Sequence, residues 1–145
     1  MTPEIRADRQ KAEADDLVGR ASLVEQGLGR IEEVLGAQSE RLAKTPSFMP
    51  TNGLIGAGFG WRRDPFTGLN QFHRGIDICA PMGTPVRAPA DGWVLRTERD
   101  AGYGNVLTLG HGDGITTRFG HLSAFKVKPG DKVHRGDVIA LVGNT

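Results

Sequence analysis

The sequence predicts a mainly β, antiparallel body preceded by an N-terminal α-helical arm. Three observations point to it. All nine aromatic residues (six Phe, two Trp, one Tyr) fall from Phe48 onward, and residues 1–44 have none. Seventeen of the 21 glycines lie beyond residue 50. The apolar pattern also changes, from a helical repeat before residue 44 to short runs bounded by Gly, Pro, Asp and Asn after it. The chain accordingly divides into a coiled-coil-like helical arm over 1–44, a linker over 45–53 and a β domain over 54–145.

In the arm, Leu17, Ala21, Val24, Leu28, Ile31, Leu35 and Leu42 recur at alternating steps of four and three, with Gln38 in the remaining slot. This seam fits either an amphipathic helix lying on its own domain or a coiled-coil arm, and its length favours the coiled coil. Gly19, Gly27, Gly29 and Gly36 weigh against a free-standing helix, since each costs about 1 kcal/mol relative to alanine in a helix interior. Such a helix gains from a partner or a longer parent helix. The arm carries 7 basic and 9 acidic residues, so the body is the mildly cationic part of a chain with net charge +1.

The stretch KTPSFMPTNG, with two prolines, reads as the linker. Strand-type runs follow at Pro85–Ala88, Gly92–Thr97, Asn105–His111, Ile115–Leu122 and Val138–Val142. Asp113-Gly114 sits between two of them and predicts a tight hairpin. Pro129-Gly130-Asp131 and the following V-x-x-G-x-x-I predict a β turn feeding the last strand.

A length of 145 residues allows one ordinary domain with a helical appendage. The near-neutral charge excludes a strongly basic nucleic-acid binder. No apolar run is long enough to span a membrane, and MTPEIRADRQKAEADD is polar throughout, so no signal peptide is visible in the residues given. Any targeting segment would lie upstream. The single cysteine, Cys79, cannot form an internal disulfide and reads as a small buried hydrophobe.

The stretch QFHRGIDICAP carries the chemistry. If it is one strand, His73, Gly75 and Asp77 share a face while Ile76 and Ile78 point to the core, and Gly75 leaves room between the polar pair. Imidazole nitrogen and carboxylate oxygen are both zinc ligands. A hydrogen-bonded His–Asp pair without metal fits the same spacing.

The stretches GFGWRRDPFTGLNQFHRGIDICAPMGTPVRAPADGWV, GYGNVLTLGHGDG, RFGHLS and KVKPGDKVHRGDVIALVGNT together resemble the lysostaphin-type, or LytM-like, zinc endopeptidases of peptidoglycan, over about residues 46–145. The resemblance implies a barrel-sandwich-like antiparallel β peptidase domain in the cell envelope or periplasm, with a Zn2+ cofactor and peptidoglycan peptides as substrate. It implies that His73 and Asp77 are metal ligands. It also implies that His121, in Phe119-Gly120-His121-Leu122, is a catalytic group beside the metal, able to move a proton or stabilise an oxyanion. The third ligand of the family belongs to a His-x-His motif that follows a G-N-T like the one ending at Thr145, so it is expected beyond these residues. A catalytic zinc needs three protein ligands and one open position. The chain as given is therefore expected to be inactive.

His111 reads as structural, because a two-residue hairpin turns it away from His121, and His134, among charged neighbours, reads as solvated. Trp61 and Trp93 are candidates for core or groove wall, and Arg62 and Arg63 for the groove. Two other functions compete. A non-catalytic LytM-like module would bind or activate other wall hydrolases, with the arm mediating self-association or contact with an envelope partner. Retention of His73, Asp77 and His121 favours the enzyme. A biotinyl- or lipoyl-carrier hairpin over KPGDKVHRGDVI fails for want of a suitable lysine at a turn tip.

Overall fold

In the computed structural model, residues 2–145 are described. They form two compact units, one ending at Leu42 and the other comprising Ala43–Thr145. Helix α1 (Pro3–Lys44) is unbroken despite its glycines, and none of its residues is buried. The heptad side chains Leu17, Val24, Leu28, Ile31, Leu35 and Leu42 are all exposed. No helix among the described residues is long and apolar enough to cross a membrane.

The second unit contains ten strands. They are β1 (Leu54–Ala57), β2 (Gly60–Arg63), β3 (Asn70–His73), β4 (Asp77–Cys79), β5 (Pro85–Arg87), β6 (Gly92–Asp100), β7 (Gly104–Gly112), β8 (Ile115–Phe125), β9 (Lys132–Val133) and β10 (Val138–Val142). The main sheet has the order β5-β10-β8-β7-β6-β9, and every described pairing is antiparallel. Two small ribbons, β1-β4 and β2-β3, stand apart from it. The expected mainly β, antiparallel fold with an N-terminal helix is what the chain adopts.

The core lies on the β7 side chains Leu107 and Leu109, with Val86, Ala88, Val94, Leu122, Val133, Ile139 and Ala140 around them. Phe119, Phe125, Val127 and Val142 close it from the rim. Residues Val106 to His111 of β7 are buried without interruption, polar Thr108 and His111 included, so this strand is covered on both faces. The β7–β8 hairpin turns at Asp113 (φ 50) and Gly114 (φ 75), both left-handed, directly after Gly112 (φ 89). That conformation matches the right-handed twist of the strands it joins, which is why Asp-Gly predicts it.

Residues 45–53 are tied to the domain by hydrogen bonds. Arg87 N–H donates to Pro50 O (2.6 Å), Ser47 N–H to Pro89 O (3.3 Å) and the buried Thr51 hydroxyl to Pro85 O (3.0 Å). Two core assignments fail. Ile76 is half exposed, and Ile78, only partly buried, belongs to the β1-β4 ribbon rather than the core cluster. The stretch that holds them is not one strand, and its parity therefore does not run through.

Candidate metal centre

An unbroken strand rises about 3.3 Å per residue, which would put the Cα atoms of residues 73 and 77 about 13 Å apart, too far to share an ion. The chain solves this with a bend. His73 closes β3 and pairs with Gly60 of β2, whereas Asp77 opens β4 and pairs with Ala57 of β1. Arg74-Gly75-Ile76 between them is outside any strand. The change of strand partner folds the two side chains together, and His73 Nε2 lies 3.2 Å from Asp77 Oδ1. A Cβ on Gly75 would meet no atom within 4 Å, so the space there is wider than one methyl group.

The surroundings fix which imidazole atom faces the carboxylate. His73 Nδ1 is 2.7 Å from the Gly58 carbonyl, which can only accept, so Nδ1 carries the proton and donates it. In the neutral ring this leaves the Nε2 lone pair directed at Asp77. Donating one ring nitrogen to a carbonyl while the other ligates is the arrangement that orients metal-binding histidines. Two ligands at about 2.0–2.1 Å from a tetrahedral zinc would stand roughly 3.3 Å apart, which the 3.2 Å Nε2–Oδ1 separation matches. The donor pair therefore fits zinc. Arg62 Nη1 approaches the other carboxylate oxygen, Asp77 Oδ2, at 3.4 Å. By sequence Arg62 is a groove candidate only, and its pairing with Asp77 is not legible there, because residues fifteen apart meet only through the two ribbons.

His121 sits on the main sheet, on β8. Between the pairs Leu107↔Phe119 and Asn105↔Leu122, β8 has one residue more than β7, which makes a bulge at Gly120-His121. There His121 adopts φ 57, a left-handed conformation uncommon outside glycine, and its N–H donates to Tyr103 O at 2.7 Å. The bulge re-aims the side chain outward, so the imidazole is exposed. Its Nδ1 hydrogen-bonds the Thr145 carbonyl, and its ring is 6.2 Å from that of Tyr103.

Among the described residues, no three His, Cys, Asp or Glu side chains form a metal-holding group. The structure joins His73 to Asp77, and no described hydrogen bond or ion pair links either to His121. His111 is fully buried and satisfied at both nitrogens, by the Asp91 carbonyl (2.7 Å) and the Thr117 hydroxyl (2.8 Å), as its structural reading requires. His134 is exposed, 3.7 Å from Asp137.

Cys79 is exposed, contrary to the expectation of a buried thiol. It lies on the two-stranded β1-β4 ribbon, where a strand face has no second layer to cover it. Trp61 (75% exposed) and Trp93 (46% exposed) are likewise not core residues. Trp61 instead packs edge-on against Phe72, its cross-strand partner, and Phe59 packs on the same ring. Tyr103, beside His121, was missed; its signal was the glycine-flanked turn Gly102-Tyr103-Gly104, which permits close backbone approach.

The description of peptidase family M23 matches residues 71–145, a span that includes His73, Asp77 and His121. The DD-carboxypeptidase/endopeptidase Mpg of Neisseria meningitidis is 45% identical over 91 residues, covering 63% of this chain and 21% of that protein. The peptidoglycan DD-endopeptidase ShyA of Vibrio cholerae is 42% identical over 92 residues, again 63% of this chain and 21% of that protein. The match thus spans about a fifth of the length of these relatives. Among solved structures, a zinc-containing peptidase of Vibrio cholerae superposes with a TM-score of 0.62 at 36% identity, covering 70% of this chain and 32% of the other. Antiparallel fold, the order of the motifs and similarity over most of the β unit agree, and this chain belongs to peptidase family M23.

Proposed function

We propose that this chain carries the β domain of a zinc-dependent endopeptidase that hydrolyses peptide bonds of peptidoglycan in the cell envelope or periplasm. The observation that carries the reading is the bend at Arg74–Ile76, which sets the His73 and Asp77 donors 3.2 Å apart with Nδ1 of His73 already occupied by Gly58. His73 Nε2 and Asp77 Oδ1 would hold the metal. Bound zinc supplies Lewis-acid activation of water and of the scissile carbonyl. Arg62, 3.4 Å from Asp77 Oδ2, holds the carboxylate so that Oδ1 stays turned toward His73. His121 donates Nδ1–H to the Thr145 carbonyl, which leaves Nε2 free to take a proton from the attacking water and return it to the leaving amine. The names of ShyA, a peptidoglycan endopeptidase, and of the zinc-containing Vibrio peptidase support substrate and metal.

Two protein donors hold zinc less firmly than three, so these 145 residues alone are proposed to be inactive. The exposed apolar seam of α1 suits self-association or an envelope partner. Zinc titration and release of soluble fragments from purified peptidoglycan test the reading, on this chain and on one extended through a His-x-His segment. The extended chain should hydrolyse and bind zinc at least about 10–100-fold more tightly. Equal hydrolysis by both would show that the third ligand has been misassigned. Binding to peptidoglycan without release by either would favour a non-catalytic module.

A further inference from the structure

The turn beside His121 is held by contacts that the metal site does not explain. Asp100, at the end of β6, accepts Gly102 N–H (2.8 Å) and Tyr103 N–H (3.1 Å) on Oδ1. Its Oδ2 accepts from Arg118 Nη2 at 3.1 Å, and Arg118 lies on β8 three residues before His121. One carboxylate thus grips both the β6–β7 turn and the strand that bears the bulge. The Arg118 guanidinium also lies 4.8 Å from the Tyr103 ring centroid, close enough for cation–π attraction. Tyr103 is therefore flanked by Arg118 and, 6.2 Å away, by the His121 ring.

The backbone at this point has little freedom. Tyr103 O accepts the His121 N–H at 2.7 Å, where residue 121 has left-handed φ. Gly120 is equally confined: a Cβ there would stand 3.2 Å from Tyr103 Cβ and 3.3 Å from Tyr103 O. A left-handed non-glycine residue persists where its surroundings over-determine it, and such residues cluster at functional sites. Here the surroundings are the turn that Asp100 secures.

We propose that Asp100, Arg118 and Tyr103 are positioning residues that lock the β6–β7 turn onto the β8 bulge and so fix the direction of the His121 imidazole. The inference rests on the reading of His121 as a catalytic group, but its test does not depend on hydrolysis. Pre-organising a proton-transfer group requires its rotamer and backbone to be set before substrate arrives. The two amides hold the Asp100 carboxyl below the usual carboxylate range, with Arg118 adding to the effect, so the charged form that the contacts need is present at neutral pH.

Amide hydrogen exchange and imidazole nitrogen resonances of the 145-residue chain provide the test, with His111 as internal control. In Asp100→Ala the His121 amide should exchange about tenfold faster, as expected for loss of a charge-assisted hydrogen-bond network, and its ring resonances should move. His111 signals should stay in place. Arg118→Gln should do the same to a lesser degree and Arg118→Lys, which keeps the charge, should recover part of the effect. Since Arg118 is half exposed, its variants should fold even if Asp100→Ala does not. His121 exchange and ring resonances equal to those of the parent chain in Arg118→Gln would overturn the proposal. Failure of the extended parent chain to hydrolyse peptidoglycan would instead remove the functional reading while leaving the exchange result intact.

Discussion

Replacing His111 by alanine separates a structural histidine from a metal ligand. The imidazole is fully buried on the same face of β7 as Leu107 and Leu109, and a Cβ added at Gly92 would lie 2.9 Å from its Nδ1. Truncation leaves a void, and burying less apolar surface than a leucine puts its cost near the low end of large-to-alanine substitutions, about 2 kcal/mol. It also strips a partner from the Asp91 carbonyl and from the Thr117 hydroxyl. Both residues are half-buried, so water relieves part of the loss, and each contributes about 1 kcal/mol. The total is about 4 kcal/mol. For a domain of roughly 100 residues this corresponds to a fall in Tm of roughly 15–30 °C. Phenylalanine at the same position restores the volume but not the hydrogen bonds, so His111→Phe should cost about half as much. Urea unfolding followed by tryptophan fluorescence measures both variants, and zinc titration of the folded fraction supplies the second reading. The reasoning is refuted if His111→Ala is within about 0.5 kcal/mol of the parent, the range of ordinary surface substitutions. It is equally refuted if zinc affinity falls while stability holds.

Two further outcomes follow from local geometry. Gly143→Ala would place a Cβ 2.3 Å from Ser123 N and 2.6 Å from Leu122 C, backbone atoms that cannot rotate away. The β10 end must then shift from β8, costing at least about 1–3 kcal/mol in urea unfolding, and an unchanged midpoint would show that this contact is not tight. The Thr67 and Phe66 amides hold the Asp64 carboxyl below its ordinary value of 3.8. A lowered folded value means that the stabilisation is complete above the unfolded value and is lost as pH falls through the folded one. The gap in unfolding midpoint between parent and Asp64→Ala should therefore be full at pH 6 and close below pH 3.8, and a gap that widens on acidification would reverse the sign.

Much of the fold was legible because its signals are local. Composition marked the change from helix to β body near residue 44, and Asp113-Gly114 marked its hairpin, since two consecutive left-handed residues tolerate few side chains. Motif order carried the family. The geometry of the His73–Asp77 pair was not legible. A His-x-x-x-Asp spacing looks the same in a straight strand and across a bend, and only the separate partners of β3 and β4 reveal the bend. The same uncertainty misplaced Ile76, whose burial follows only if the stretch is one strand, whereas Cys79 was misplaced by the general burial of lone cysteines. The Asp100–Arg118 contact, eighteen residues apart, follows from the β6–β7–β8 register, which no single-sequence period encodes.

The place of β10 in the main sheet has a consequence for synthesis. Strands β6, β7 and β8 can zip together as a meander of neighbours as soon as they leave the ribosome. Strand β5 cannot join them, because β10 lies between β5 and β8 and is made some fifty residues later. Until Val138–Val142 emerges, β8 presents an unpaired edge, and Val86 and Leu122 wait for Ile139 and Ala140 to complete their packing. Translation at about 5–20 residues per second leaves that edge open for roughly 1–3 s after β8 is complete. The window for strand-to-strand aggregation closes only with the insertion of β10.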